Sequence, residues 1–265
     1  MTAAVDRRAE AVPPLAPVTA TLRSMFGTDE LPGLTRGLLV HDEAGWMPAS
    51  VLADGSELPR LLDAAGRRWR GGSKHAAAAL AWKAYSYWLA LPVVLGWASA
   101  RRVPLLRADD VLIHFEDKRP LVTIGSRRTT TVAVLPSDPL AVAGLPEVMV
   151  VPDEWSLLEA MRTSLLDGHV LPILDAMHAK VHLGHRTLLG SLASGIANGI
   201  LRAADALPGA TSANIGTVLD ALDLDDLVEL VPGANGEPLV QRKTCCLAFT
   251  LPEPKVCSGC CIRPA

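Results

Sequence analysis

The chain has 265 residues, a formal net charge of −3, 49% hydrophobic residues and only 4% aromatic ones. A chain of this length buries roughly three-quarters of its unfolded surface, enough for one large domain or two small ones, and its core must be aliphatic. The small negative charge excludes the global basic field of a nucleic-acid binder.

Residues 1–17 read as an N-terminal arm. Asp6, Arg7, Arg8 and Glu10 leave no apolar h-region there, which argues against a secretory leader. The expected compartment is the cytoplasm, with the inner face of the membrane as a peripheral variant. Residues 18–26 predict a short helix. Residues 27–60 are weakly patterned, with Trp46 as a packing residue. Leu58, Leu61, Leu62 and Ala65 predict a helix over 58–70, with Arg67, Arg68 and Arg70 at its cation-favouring end. Gly71-Gly72 breaks it, and Ser73 is a candidate N-cap for the next helix.

Residues 74–100 form the most apolar stretch. Ala84 to Ala100 carries no charge, but the run is short for a membrane span and holds Pro92 and Gly96. A buried helix pair kinked near Pro92 is the expectation. Trp82, Tyr85, Trp88 and Leu89 fall on one helical face. Such a stripe is either core or a wall beside a bulky ligand. Over 103–135, three strand-like segments (111–115, 121–124 and 129–134) predict an antiparallel meander. Arg127-Arg128 in its second turn is either solvated or a dock for an acidic donor protein.

Residues 136–152 are loop-rich. Residues 153–166 predict a helix with Trp155, Leu158, Met161 and Leu165 on one face, ending at Asp167-Gly168. Further helices are expected over 170–183, 186–207 and, capped, 211–222. His178, His182 and His185 share a helical spacing suited to structural, solvated or partner-contacting roles. Asp220, Asp223, Asp225, Asp226 and Glu229 read as a solvated acidic face. Gly190, Ser191, Ala193, Ser194, Gly195 and Gly199 allow close packing, at the fold's centre or as a floor beneath a metal cluster held by the tail. Pro232-Gly233 and Asn235-Gly236 mark turns, and 238–241 predicts a strand.

That strand leads into the tail, where all five cysteines lie: Cys245, Cys246, Cys257, Cys260 and Cys261. The spacing is C-C-x(10)-C-x(2)-C with Cys261 left over. Gly259 permits the tight backbone of the C-x(2)-C knuckle. Cys245 and Cys246, being adjacent, cannot both face one metal from a regular strand, so the strand must break there. Pro252 and Pro254 stiffen a loop able to fold the second pair back onto the first. Four thiolates suit zinc or an iron–sulfur cluster. Disulfides would need an oxidising compartment.

The spacing of Cys245, Cys246, Cys257 and Cys260 resembles the terminal motif of the FhuF-like family of siderophore–iron reductases. A weaker resemblance lies in His185-Arg186-Thr187-Leu188-Leu189-Gly190-Ser191-Leu192-Ala193-Ser194, similar to that family's R-x-x-W-G-N-x-A-S segment, with Leu189 for Trp and Ser191 for Asn. The resemblance implies a mostly helical α+β fold with a small antiparallel sheet. It also implies a siderophore-binding domain over 18–240 and a cluster-binding segment over 241–265. Cys245, Cys246, Cys257 and Cys260 would hold a 2Fe–2S cluster, with no catalytic side chain beyond it. The implied activity is one-electron reduction of a ferric siderophore, the hydroxamate type being one candidate. An external donor such as a ferredoxin or a ferredoxin-type reductase system would supply the electron. Cys261 is either an alternative ligand or a free thiol.

The rival readings are a siderophore-binding or interaction protein with a structural zinc tail, an ATP-dependent condensing enzyme, and a cluster-bearing iron sensor. The second lacks a nucleotide loop, and the third lacks a basic recognition helix.

Overall fold

The computed structural model describes residues 14–116, 120–233 and 237–262. The first thirteen residues of the expected arm, part of the first strand turn (117–119), the Asn235-Gly236 turn and residues 263–265 lie outside them.

Helix α1 (Ala16–Phe26) is followed by β1 (Leu34–Leu39), β2 (Met47–Pro48), α2 (Ser50–Ala53), α3 (Leu58–Arg68) and α4 (Lys74–Ala100). Next come β3 (Arg102–Pro104), β4 (Val111–Phe115), β5 (Val122–Ser126), β6 (Val132–Val134) and β7 (Val148–Val150). Helix α5 (Glu154–Met161), a π-helical stretch (Arg162–Val170) and α6 (Leu171–Val181) then run on without a break. Helices α7 (His185–Arg202) and α8 (Thr211–Ala221) and the hairpin β8 (Val228–Pro232) and β9 (Pro238–Arg242) complete the fold. The class is α+β, with more helix than strand.

Helix α4 is the axis. Ser73 Oγ accepts from the Ala76 N–H at 3.1 Å, which caps its start as the sequence predicts. Its 27 residues are apolar on every side, as a helix surrounded by protein must be. It is long and apolar enough to cross a membrane, but 78% of its most apolar window is buried inside the protein. Its end is closed by Arg101, whose guanidinium donates to the Trp97 carbonyl at 2.9 Å and lies 4.1 Å over the Trp97 ring. Helix α7 packs lengthwise on α4, and the buried Trp82 indole N–H donates to the Leu188 carbonyl at 2.8 Å.

Several expectations are corrected. Residues 74–100 form one helix, not a pair. Pro92 removes a hydrogen bond from the Trp88 carbonyl, but Leu89 to Ala98 are all buried and packing holds the helix through the defect. The three strands are not one meander. β4 and β5 pair antiparallel as expected, inside a sheet ordered β1-β5-β4-β2. β6 instead joins β3 antiparallel and β7 parallel in a second sheet.

Asp167-Gly168 does not end a helix. The Gly168 carbonyl accepts from Ala108 N–H at 3.0 Å, so the π-helical widening turns a backbone group outward to a neighbouring loop. The buried residues of α5 are Leu157 and Met161, joined by Leu165 of the π-helical stretch, while Trp155 is 73% exposed. Asp153 does cap α5, accepting from Ser156 N–H at 2.8 Å. Helix α8 has no side-chain cap.

Candidate metal centre

β9 ends at Arg242, and the chain bends before Cys245. Leu247 takes a left-handed backbone, φ 61°. The break that a vicinal cysteine pair requires is therefore present. The Leu247 N–H donates to Cys245 Sγ at 3.2 Å, a bond of the kind that tunes a metal-bound sulfur. A 3₁₀ turn (Ala248–Thr250) then redirects the chain.

The knuckle closes with Cys260 N–H on the Cys257 carbonyl at 3.2 Å. It is stitched to β9 twice: Arg242 N–H donates to the Gly259 carbonyl at 2.9 Å, and Gln241 Nε2 donates to the Cys260 carbonyl at 2.9 Å. A Cβ on Gly259 would stand 1.8 Å from the Val240 carbonyl oxygen, so only glycine allows this approach.

The segment His185 to Gly195 lies in α7 against the start of the tail. A Cβ on Gly190 would sit 1.8 Å from Thr244 Oγ1. Ser191 Oγ accepts from Arg242 Nη2 at 3.0 Å. The small residues of α7 thus allow the expected close packing. Gly199 packs on Leu91 of α4, and Gly190 supports the tail.

All five cysteines are free thiols. Cys246 and Cys260 are buried at 4% exposure each, and the other three are half-buried. Burial pushes the Cys257 thiol up, against the pull of Lys83, while Cys246 and Cys260 add to the rise and Arg242 opposes it. Cys261 is pushed up to about 11, first by burial and then by Cys245 and Cys260. Cys257 therefore neighbours Cys246 and Cys260, and Cys261 neighbours Cys245 and Cys260.

Among the described residues, no three His, Cys, Asp or Glu side chains converge as a single metal ion requires. A tetrahedral zinc asks for four donors on one ion. A 2Fe–2S cluster is held by cysteines in pairs, one pair on each iron. Lys83 and Arg242 both reach Cys257 electrostatically and lower the cost of a thiolate there.

Cys246 and Cys257 also line a cleft of about 830 Å³ between α4, α7, β9 and the tail. Trp69, Tyr87 and Trp88 form much of its apolar wall. The predicted aromatic stripe therefore divides. Trp82, Tyr85 and Leu89 are core, whereas Trp88 faces the cleft.

Arg242, Lys83, Arg202 and Lys255, which also line it, were not singled out by sequence reasoning. Arg242 offered one signal, a lone Arg three residues before the first cysteine, next to strand-like Leu239-Val240.

The histidine set stands apart from this centre. The His178 ring lies 5.4 Å from that of His185 and 6.3 Å from that of His182. His185 pairs with Asp175 at 3.2 Å, and His178 bonds the Leu183 carbonyl. Arg127 is engaged by Glu43 and the Asp109 carbonyl, so Arg128 is the more available half of that turn. In the acidic run, Asp226 pairs with Arg186 and Asp223 with Arg162.

No protein-family model matches the chain. No curated protein matches it either.

Proposed function

We propose that this protein is a cytoplasmic ferric-siderophore reductase holding a 2Fe–2S cluster on Cys245, Cys246, Cys257 and Cys260. One observation carries the reading: two of those cysteines, Cys246 and Cys257, stand in the wall of a cleft large enough for a small-molecule ligand. An electron held by the tail would have its acceptor beside it.

When bound, the cluster supplies one electron to chelated Fe(III), and a separate one-electron donor such as a ferredoxin replaces it. Electrons balance at one per iron released. Siderophores grip Fe(III), a hard cation, through oxygen donors, and Fe(II) binds such sites far less strongly. The chelate loosens on reduction without an acid–base pair. The chain's own residues have positional tasks. Gly259 and Gln241 fix the knuckle to β9, and Leu247 N–H holds Cys245. Lys83 and Arg242 offset thiolate charge at Cys257, and Trp88 offers a face to the ligand.

The test is anaerobic purification followed by absorption and EPR spectroscopy of the dithionite-reduced protein. A red-brown protein with inorganic sulfide, reoxidised by ferric chelates with Fe(II) release, is expected. Replacing Cys245, Cys246, Cys257 or Cys260 by Ser should each abolish or destabilise the chromophore, while Cys261→Ser is mild. A colourless, zinc-loaded protein would sink the reading in favour of a structural tail. Full loss of colour in Cys261→Ser alone would reassign the fourth ligand.

A further inference from the structure

The cleft has a charge signature. Among the described residues, Lys83, Arg202, Arg242 and Lys255 line it, and no acidic side chain does. Arg242 is the unusual member. It is 3% exposed and has no carboxylate partner among the described ion pairs. Nη2 is bound by Ser191, while Nε and Nη1 have no hydrogen-bond partner in the protein. A buried guanidinium is kept where its donors are satisfied, and leaving two of them empty is costly. Its planar fork matches a carboxylate or another pair of oxygens. Ser194 and Asn198 of α7 add polar groups on the same wall.

We infer that the cleft binds a net-anionic, oxygen-rich chelate, of the catecholate or carboxylate class, with Arg242 as its anchor. This rests on the reductase reading for the identity of the metal, and it departs from the hydroxamate expectation. Trishydroxamate ferric complexes are neutral or cationic and bring the four basic side chains no anionic charge beyond that of the thiolates. A ferric tris-catecholate or citrate complex carries the complementary charge. Its peripheral oxygens face the wall that Arg242 backs, where a side-chain shift uncovers the two empty donors, while its aromatic or methylene surface lies on Trp88.

The test separates binding from electron transfer by using gallium(III) chelates, which match ferric ones in size and charge but accept no electron here. Tryptophan quenching and calorimetry would compare tris-catecholate, citrate, neutral trishydroxamate and cationic trishydroxamate complexes on the purified full chain. The anionic complexes should bind at least about tenfold tighter, and raised salt should narrow the gap. Lys83→Gln and Lys255→Gln, at less buried positions, should each reduce the preference several-fold. Arg242→Gln should remove most of it, and Arg242→Lys should restore charge without the fork and recover only part.

Equal or tighter binding of the neutral or cationic chelate overturns the inference, as does a preference that none of the variants alters. Charge-selective binding by a protein without iron or sulfide would leave this inference standing and defeat the reductase reading. Turnover with no charge preference in binding would do the reverse.

Discussion

His169 sits where neither ring nitrogen meets water. Nδ1 lies 2.9 Å from the Leu106 carbonyl and Nε2 lies 2.6 Å from the Tyr85 hydroxyl. A carbonyl can only accept, so Nδ1 carries the proton and Nε2 accepts from Tyr85. Both groups are held neutral: burial lowers His169 to about 4 and raises Tyr85 above its usual range. The folded His169 resists a proton that the unfolded chain accepts below about 6.5. Stability from this residue is therefore constant above that pH and is lost as pH falls toward 4. The loss amounts to about 3 kcal/mol over the window. Urea denaturation between pH 7 and 4.5 should show it, and His169→Asn should flatten that part of the slope. An unchanged slope would place the titration elsewhere. Neither Tyr85 nor His169 could be paired from sequence, because the hydroxyl and the imidazole lie on elements far apart in the chain.

Helix α7 and the cysteine knuckle depend on glycines for contact rather than for flexibility. Gly190→Ala drives a methyl into Thr244 Oγ1, and Gly259→Ala drives one into the Val240 carbonyl. Overpacking of this kind costs about 1–3 kcal/mol. Thr244→Ala should recover part of the first loss, since it removes the nearest obstructing atom, while Gly259 faces backbone and has no such remedy. Both single variants should lose the visible spectrum faster in air than the parent, and the Gly190→Ala/Thr244→Ala double variant should lie between. Elements governed by local chemistry were legible. Ser73 announced α4, the Leu58 periodicity announced α3, and the cysteine spacing announced the knuckle. Elements governed by pairing were not. Nothing local to Val132–Val134 says that it adds to β3 and β7 instead of continuing from β5. Likewise, no residue near Pro92 tells that the surrounding elements will hold α4 as one continuous helix.

Across the whole molecule, the hydrophobic core is one continuous cluster running from Leu15 to Val240, and beyond β9 it takes in Leu251 with Leu247 packed on it. The buried Cys246 and Cys260 are not members. This explains the uneven legibility of the site: five cysteines lie within one tail with Arg242 and Lys255 beside them, whereas Lys83 of α4 and Arg202 of α7 come from distant stretches that only the fold brings to it. It also separates the stability of the body from that of the centre. Small zinc domains unfold without metal because ligation is most of their folding energy. Here α4, α7 and the helices around them bury their surface without help from the sulfurs. On the proposed reading, stripping iron with a chelator under anaerobic, non-denaturing conditions should therefore abolish the visible spectrum and leave far-UV circular dichroism nearly intact. The melting temperature should fall by about 5 °C or less, the shift that about 1–2 kcal/mol makes in a chain of this size. Cooperative loss of helix on iron removal would mean instead that the tail clamps α7 onto α4, and that the centre is as much a structural staple as a redox one.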